Sequence, residues 1–352
     1  MRTSRLRRAR CLVSYWDGAD LVLENYLTGR QTCVDPLALH LLHRAGDWVE
    51  TDHLTAMAGM LGGGDPAKSV RQLVECDLLL RPGSEVEAKD MAVDTGWLWS
   101  RDARFFHYAS QNVRYEVTPE GLEELLGQIT AERAAPSPVK RYDGVPRRKL
   151  SQPENEAGEF WDVLRRRRTH RRFRPEPIGE GELATVLRWT WGITHRGRHD
   201  HLGDYVLKTS PSGGSRHPIE VYPVVLRVDG VEPGVYHYAT GDDSLELLSA
   251  GDHRDGVLRM CAEHHWFGDA AVVFFMTAVL ERSMYKYRHS HAYRVIMMDA
   301  GHLGQTFHLV CTRLGLAPFT SAATNDRAIE EVLGIDGVHE VPVYAAATGL
   351  PA

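Results

Sequence analysis

The stretch that most constrains the fold is Ala270–Leu280, the longest predominantly apolar run in the chain. It is far shorter than the ~20 residues a membrane-crossing helix needs, so it reads as a buried strand around which a sheet must form. The chain has 352 residues, room for two domains with separate cores. A composition of 43% apolar and 25% charged residues is that of an ordinary soluble protein. The formal charge of -6 argues against general nucleic-acid binding. Cys11, Cys33, Cys76, Cys261 and Cys311 are scattered without CxxC spacing, which suits neither a disulfide framework nor a zinc site and fits a reducing cytoplasm. The basic opening Met1–Arg10 is followed by no apolar segment, so neither a signal peptide nor a membrane partner is expected.

The first part alternates β-prone and helical signals. Leu12–Trp16, Leu21–Tyr26 and Gln31–Val34 are short strand candidates separated by Asp17-Gly18 and Thr28-Gly29 turns. Asp35-Pro36 suits a helix start, with Leu37, Leu41 and Leu42 as its apolar stripe. Thr51 is placed as the cap of a second helix that Gly62-Gly63-Gly64 stops, and Asp65-Pro66 opens a third. Leu78-Leu79-Leu80 closes a winged-helix-like module over residues 1–84. Its order, over roughly residues 10–82, is similar to the PqqD-like domains of peptide-modifying enzymes, which hold a leader peptide as an added strand.

Residues 85–133 carry an aromatic cluster of Trp97, Trp99, Phe105, Phe106, His107 and Tyr108, expected to be helical and buried as core. Residues 134–157 hold Pro136, Pro138, Pro146 and Pro153 among many charges and read as an extended linker. The remaining domain, 158–352, carries the most specific signals.

Seven arginines fall between Arg165 and Arg174, at the end of a helix that begins near Phe160. Guanidinium groups with a hydroxyl at Thr169 are suited to a phosphate, because arginine offers paired donors. The run Ser210-Pro211-Ser212-Gly213-Gly214-Ser215-Arg216-His217-Pro218 then precedes a strong strand, Ile219–Val228. Its glycines let backbone N–H groups approach a flat or anionic ligand. It lacks the GxGxxG and the strand-then-helix order of a dinucleotide turn.

Arg167–Phe173 resembles the RRSxRxF opening of the nitroreductase-like FMN family, with Thr169 in place of the serine. Ser210–Pro218 resembles that family's PSxGxxxP loop, and Asp299-Ala300-Gly301-His302-Leu303-Gly304-Gln305 resembles its DAGHxxQ helix. Pro233–Tyr238 is similar to the SagB/ThcOx branch, the azoline dehydrogenases of peptide natural-product pathways. The resemblance implies an α+β fold, a central antiparallel-rich sheet flanked by helices, with FMN bound at a homodimer interface. It implies that Arg167, Arg168, Thr169 and Arg171 hold the FMN phosphate and ring edge. Ser212, Gly213 and Gly214 would line the isoalloxazine, with Arg216 nearby. His302 is expected to pack or hydrogen-bond within its helix.

Lys286-Tyr287 matches the Lys-Tyr pair of the azoline dehydrogenases. Oxidising a thiazoline or oxazoline to an azole removes a proton from Cα and a hydride from Cβ. The resemblance implies hydride transfer to flavin N5, with Lys286 as base, Tyr287 assisting, and oxygen or a second acceptor reoxidising the flavin. It further implies a leader-bearing peptide substrate and a cyclodehydratase partner. Two other functions stay open: a small-molecule NAD(P)H-dependent nitro or quinone reductase, and a non-catalytic flavin-fold scaffold in a peptide-modifying complex. His195, His199 and His201, His264-His265, and His289 with His291 match no zinc pattern, so no metal is expected.

Overall fold

The computed structural model describes residues 4–62, 64–112, 118–132, 158–199 and 203–352. The Pro-rich segment 134–157 and His201 lie outside the described residues. In chain order the first elements are β1 (Arg5–Arg8), β2 (Leu12–Asp17), β3 (Asp20–Asn25), β4 (Arg30–Cys33), α1 (Pro36–Arg44), β5 (Val49–Glu50), α2 (Thr51–Met60) and α3 (Pro66–Glu75). Then come β6 (Leu79–Leu80), α4 (Glu85–Gly96), α5 (Arg101–Ala109), α6 (Pro119–Glu132), α7 (Glu159–Arg166), β7 (Ile178–Gly179), α8 (Glu180–Trp191), β8 (Ile193–His199) and β9 (Gly203–Lys208). They are followed by β10 (Ile219–Val225), β11 (Val228–Asp229), β12 (Gly234–Ala239), β13 (Ser244–Ala250), α9 (Arg254–Met260), β14 (Val272–Val279) and α10 (Leu280–Lys286). The last are α11 (Ala292–Leu314), β15 (Ala317–Ser321), α12 (Asp326–Leu333) and β16 (Glu340–Gly349).

The chain divides into two compact units. The first comprises Met1–Gln111, Val279–Met297 and Ile335–Val341. Two of its helices, α1 and α3, start where Asp-Pro signals place them. Asp35 accepts from the Ala38 N–H at 2.7 Å and Asp65 from the Lys68 N–H at 3.1 Å, satisfying donors that a helix start leaves unpaired. Thr51 is not the expected cap. It is the first residue of α2, and both its N–H and its hydroxyl donate to the Ser4 carbonyl, at 2.8 and 2.7 Å.

Ser4 precedes β1, a strand whose Arg-Leu-Arg-Arg sequence carries no β signal. It pairs with β5 and β6 in a sheet ordered β5-β1-β6. Arg7 is 1% exposed there, because Asp90 of α4 receives both of its terminal nitrogens at 2.9 Å. Leu6, Leu41, Leu54, Leu73 and Leu78 form the core beside it. Trp97 and Trp99 lie in the link between α4 and α5 and are buried, whereas Phe106 is exposed.

The second unit comprises Asn112–Ala278, Met298–Gly334 and Pro342–Ala352. Its centre is a six-stranded sheet ordered β13-β12-β10-β14-β16-β15. The pairs β10/β12, β10/β14, β12/β13 and β15/β16 are antiparallel, in keeping with the α+β, antiparallel-rich expectation. The apolar run becomes β14, buried along nearly its whole length. Trp191 of α8 stacks on Phe274 of β14 at 5.3 Å, and Phe307 of α11 meets Phe274 edge-on at 5.4 Å. Each such ring adds roughly 1.5–3 kcal/mol by leaving water. The expected strand Ile219–Val228 is interrupted after Val225, where the N–H groups of Leu226 and Arg227 both turn to the Ala271 carbonyl.

Candidate functional site

The serine–glycine loop leads into β10, and one face of α11 holds it in place. Ser212 Oγ donates to Asp299 Oδ2 at 2.6 Å, the Gly213 N–H donates to Asp299 Oδ1 at 3.3 Å, and the His217 N–H donates to Ser212 Oγ at 2.9 Å. Ser210 and Thr306 share a hydroxyl–hydroxyl bond of 2.6 Å. His302 Nδ1 donates to the Pro211 carbonyl at 3.3 Å. His302 therefore reaches out to the loop, contrary to the expectation that it bonds within its helix. Asp299, His302 and Thr306 follow i, i+3, i+7 spacing, which puts them on one helical face. The motif Asp299–Gln305 was legible, but these roles were not, because the partners lie some ninety residues away.

The latch has a backbone consequence. Gly214, Ser215 and His217 adopt φ of 61°, 56° and 43°. The left-handed region costs a non-glycine residue about 1–2 kcal/mol, so two such residues persist only because side chains hold the loop. Arg216 Nε donates to the Gly214 carbonyl at 3.1 Å. Asp299 is buried, which pushes its carboxyl pKa up, while the Ser212 and Gly213 donors pull it down.

The arginine segment is held differently. It leaves α7 at Arg167, which caps the helix, and Arg168 Nη1 donates to the Arg165 and Arg167 carbonyls at 2.9 and 2.7 Å. The His170 N–H donates to the Pro318 carbonyl of β15 at 2.9 Å. Arg171 places its guanidinium 4.9 Å from the Phe319 ring centre and 6.0 Å from that of Trp266. Among the described residues no carboxylate pairs with Arg167, Arg168 or Arg171, whereas Arg165 pairs with Asp162 at 3.1 Å. Thr169 is exposed beside them.

His308 of α11 was not singled out by the sequence. Its Nε2 is 3.2 Å from Thr320 Oγ1, which also accepts from the Tyr344 hydroxyl at 3.0 Å. Burial, with the charges of Arg167 and His170 added, pushes His308 down to about 4, so it is neutral at pH 7. Its buried Nδ1 has no partner among the described residues. The cations of this segment that no carboxylate neutralises, Arg167, Arg168 and Arg171, supply donors and charge that fit the phosphate of FMN.

Lys286 and Tyr287 belong to the first unit, at the end of α10. The structure brings the two side chains together, with Lys286 Nζ 5.4 Å from the Tyr287 ring centre. Among the described residues no three His, Cys, Asp or Glu side chains gather as a metal site, and no helix is long and apolar enough to cross a membrane.

Residues 164–350, more than half of the chain, match the nitroreductase family. The chain belongs to that family. Its members are in general oxidoreductases and typically bind flavin. The nitroreductase-type protein MJ1384 of Methanocaldococcus jannaschii is 31% identical over 183 residues, 52% of this chain and 88% of MJ1384. The trifolitoxin-processing protein TfxB of Rhizobium leguminosarum bv. trifolii is 37% identical over 142 residues, 38% of this chain but only 37% of TfxB. The trifolitoxin operon protein TfxC of the same organism is 23% identical over 321 residues, 86% of this chain and 84% of TfxC. At that coverage the alignment with TfxC takes in residues outside the nitroreductase match.

Proposed function

We propose that the protein is an FMN-dependent dehydrogenase that oxidises azolines to azoles in a ribosomally made peptide. The observation that carries the flavin part is the joining, in one unit, of unneutralised arginines with a loop latched by Asp299. Kinship with TfxB and TfxC supports a peptide substrate, and the TfxC alignment does so over most of the chain.

In this reading Arg167 and Arg171 bind the phosphate, and Thr169 adds a hydroxyl donor. Arg168 keeps the end of α7 closed while contributing its charge. The Ser212–Gly214 backbone faces the ring system, and Asp299 keeps that backbone from relaxing. When bound, FMN supplies the two-electron acceptor for the hydride that leaves substrate Cβ. Lys286 takes the proton from Cα, and Tyr287 orients the ring being oxidised. A homodimer completes the cofactor sites, and a cyclodehydratase supplies the azoline.

In this reading the first unit takes the leader peptide. Among the described residues β4 pairs only with β3, so its outer edge is open to a further strand. Beside that edge runs a groove of about 290 Å³ lined by Thr32, Val34, Leu37, Leu41, Gln72 and Leu73. Its lining mixes these residues with Asp20, Asp35 and Ser69, so it offers polar partners as well as apolar contacts beside the strand edge.

Purified protein tests the reading. We expect a yellow flavin spectrum and a loss of 2 Da per ring when a leader-bearing thiazoline peptide is supplied, following from the two hydrogens removed (roughly 1 Da each). NAD(P)H consumption with a nitroaromatic and no peptide oxidation would sink it in favour of a small-molecule reductase. Protein without flavin would favour a scaffold. Lys286→Ala should abolish turnover while FMN stays bound.

A further inference from the structure

The aromatic segment between α4 and α5 lies outside the residues shared with the nitroreductase family, and the function proposed so far gives it no task. We propose that Trp99–Asp102 is the clamp that positions Lys286 and Tyr287, with Trp99 as its central positioning residue. This rests on reading those two residues as the acid–base pair.

The geometry brackets the pair from both sides. Trp99, 1% exposed, donates its indole N–H to the Tyr287 backbone carbonyl at 3.0 Å. Just before the pair, the Leu98 N–H meets Met284 Sδ at 3.4 Å. Just after it, the Ser100 N–H donates to Ser290 Oγ at 3.1 Å, and the two serine hydroxyls share a bond of 2.7 Å. The Ser290 hydroxyl also reaches Asp102 Oδ1 at 3.2 Å, and Ser100 donates to the same carboxylate oxygen. These donors hold Asp102 below the usual carboxylate range, so it remains an acceptor at working pH.

The clamp acts where the chain would otherwise be loose. Tyr287 is the C-cap of α10, with φ -115° and ψ 102°, so its carbonyl lies beyond the helix ladder. The indole N–H supplies a partner and fixes the plane of that peptide, and with it the exit direction of the Tyr287 side chain. Trp99 is itself packed on two sides: it meets Trp97 edge-on at 5.8 Å and Tyr293 at 5.7 Å, and Trp97 donates to the Val338 carbonyl at 3.0 Å. A base must sit within hydrogen-bond reach of the proton it takes, and a displacement of about 1 Å can cost 10²-fold in rate. A merely structural aromatic core would not need to end on Tyr287.

The test uses full-length, FMN-loaded protein carrying Trp99→Phe, which keeps a ring and deletes the N–H, and separately Ser290→Ala. Hydrogen exchange of peptides spanning Met284–Ser290 is measured without substrate, and kinetics with a leader-bearing thiazoline peptide across pH. We expect faster exchange in that segment, with exchange elsewhere in the first unit changed less. We also expect kcat to fall about tenfold with KM altered less than about twofold, and a shifted basic limb of the pH profile. Ser290→Thr, which keeps the hydroxyl, should restore wild-type behaviour. Unchanged exchange in both variants overturns the clamp whatever the substrate proves to be. Faster exchange with unchanged kcat and pH profile reduces the segment to scaffolding and overturns the positioning role. Wild-type protein that leaves the thiazoline intact overturns the dehydrogenase reading and the catalytic purpose of the clamp with it, while exchange still reports whether the clamp exists. Should Trp99→Phe fail to fold, Ser290→Ala decides alone.

Discussion

The Ser212 hydroxyl donates to Oδ2 of Asp299 at 2.6 Å, tying the serine–glycine loop to a helix 87 residues further along the chain. The loop's left-handed residues depend on that tie, so Asp299→Ala should let it relax. We expect FMN affinity to fall about tenfold, or about 1.4 kcal/mol, measured by flavin fluorescence on reconstituting apoprotein. Asp299→Asn keeps an acceptor for Ser212 and should lose less. Because burial raises the Asp299 pKa, its stabilising contribution is present at low pH and is lost as pH rises through the folded value. Asp299→Asn should therefore be at least as stable as wild type at pH 8. Equal FMN affinity in all three proteins would dismiss the latch.

Arg171 is held by the faces of Phe319 and Trp266. Trp266→Leu removes one face while leaving the charge, and Arg171→Lys keeps the charge but loses the flat guanidinium. Each should weaken FMN binding about threefold to tenfold, in line with a contact of about 0.5–1.5 kcal/mol. The effect should persist at raised salt, since stacking is screened less than an exposed ion pair. Titration calorimetry that finds Trp266→Leu unchanged would remove Trp266 from the site.

His308 is neutral in the fold and pushed down to about 4. A depressed histidine contributes stability that is full above the unfolded value and is lost as pH falls from about 6.5 to about 4, roughly 3 kcal/mol in all. His107, pushed down to about 3 by burial and then by the charge of Lys89, adds a limb of the same sign in the other unit. Urea denaturation across this range should show stability falling with acid in wild type and a flatter profile in His308→Gln. Parallel profiles would contradict the assignment.

Arg7 and Asp90 form an ion pair with almost no exposure on either side chain. Asp90 also receives the Arg10 and Cys11 backbone N–H groups at 2.8 and 3.0 Å. Asp90→Ala takes its nearest carboxylate from a buried guanidinium, which keeps only Glu87 at 3.4 Å and the Arg8 carbonyl at 3.0 Å, and leaves two amides without their acceptor, so it should destabilise the first unit by about 2–3 kcal/mol. A loss below about 1 kcal/mol in chemical denaturation would mean water replaces the carboxylate.

Local signals were legible wherever the physics is local. The apolar run at Ala270–Leu280 determined a buried strand, and Asp35-Pro36 and Asp65-Pro66 determined two helix starts, because a cap and its donors lie within three residues. The three motifs from Arg167, Ser210 and Asp299 pointed to the nitroreductase family, which the match over 164–350 bears out. Strand β1 was illegible: Arg5-Leu6-Arg7-Arg8 looks solvent-facing until Asp90 arrives to neutralise Arg7.

Only the tertiary structure decided who holds what. Asp299 as the latch of Ser212, His308 behind Thr320, Phe319 beneath Arg171 and Trp99 on the Tyr287 carbonyl all join residues whose spacing in sequence carries no shared period or cap. Such partners are chosen by which helix face and strand edge come to rest together. That choice is set by packing of the whole chain, so the motif residues stand out in the sequence, while the partners that hold them in place do not.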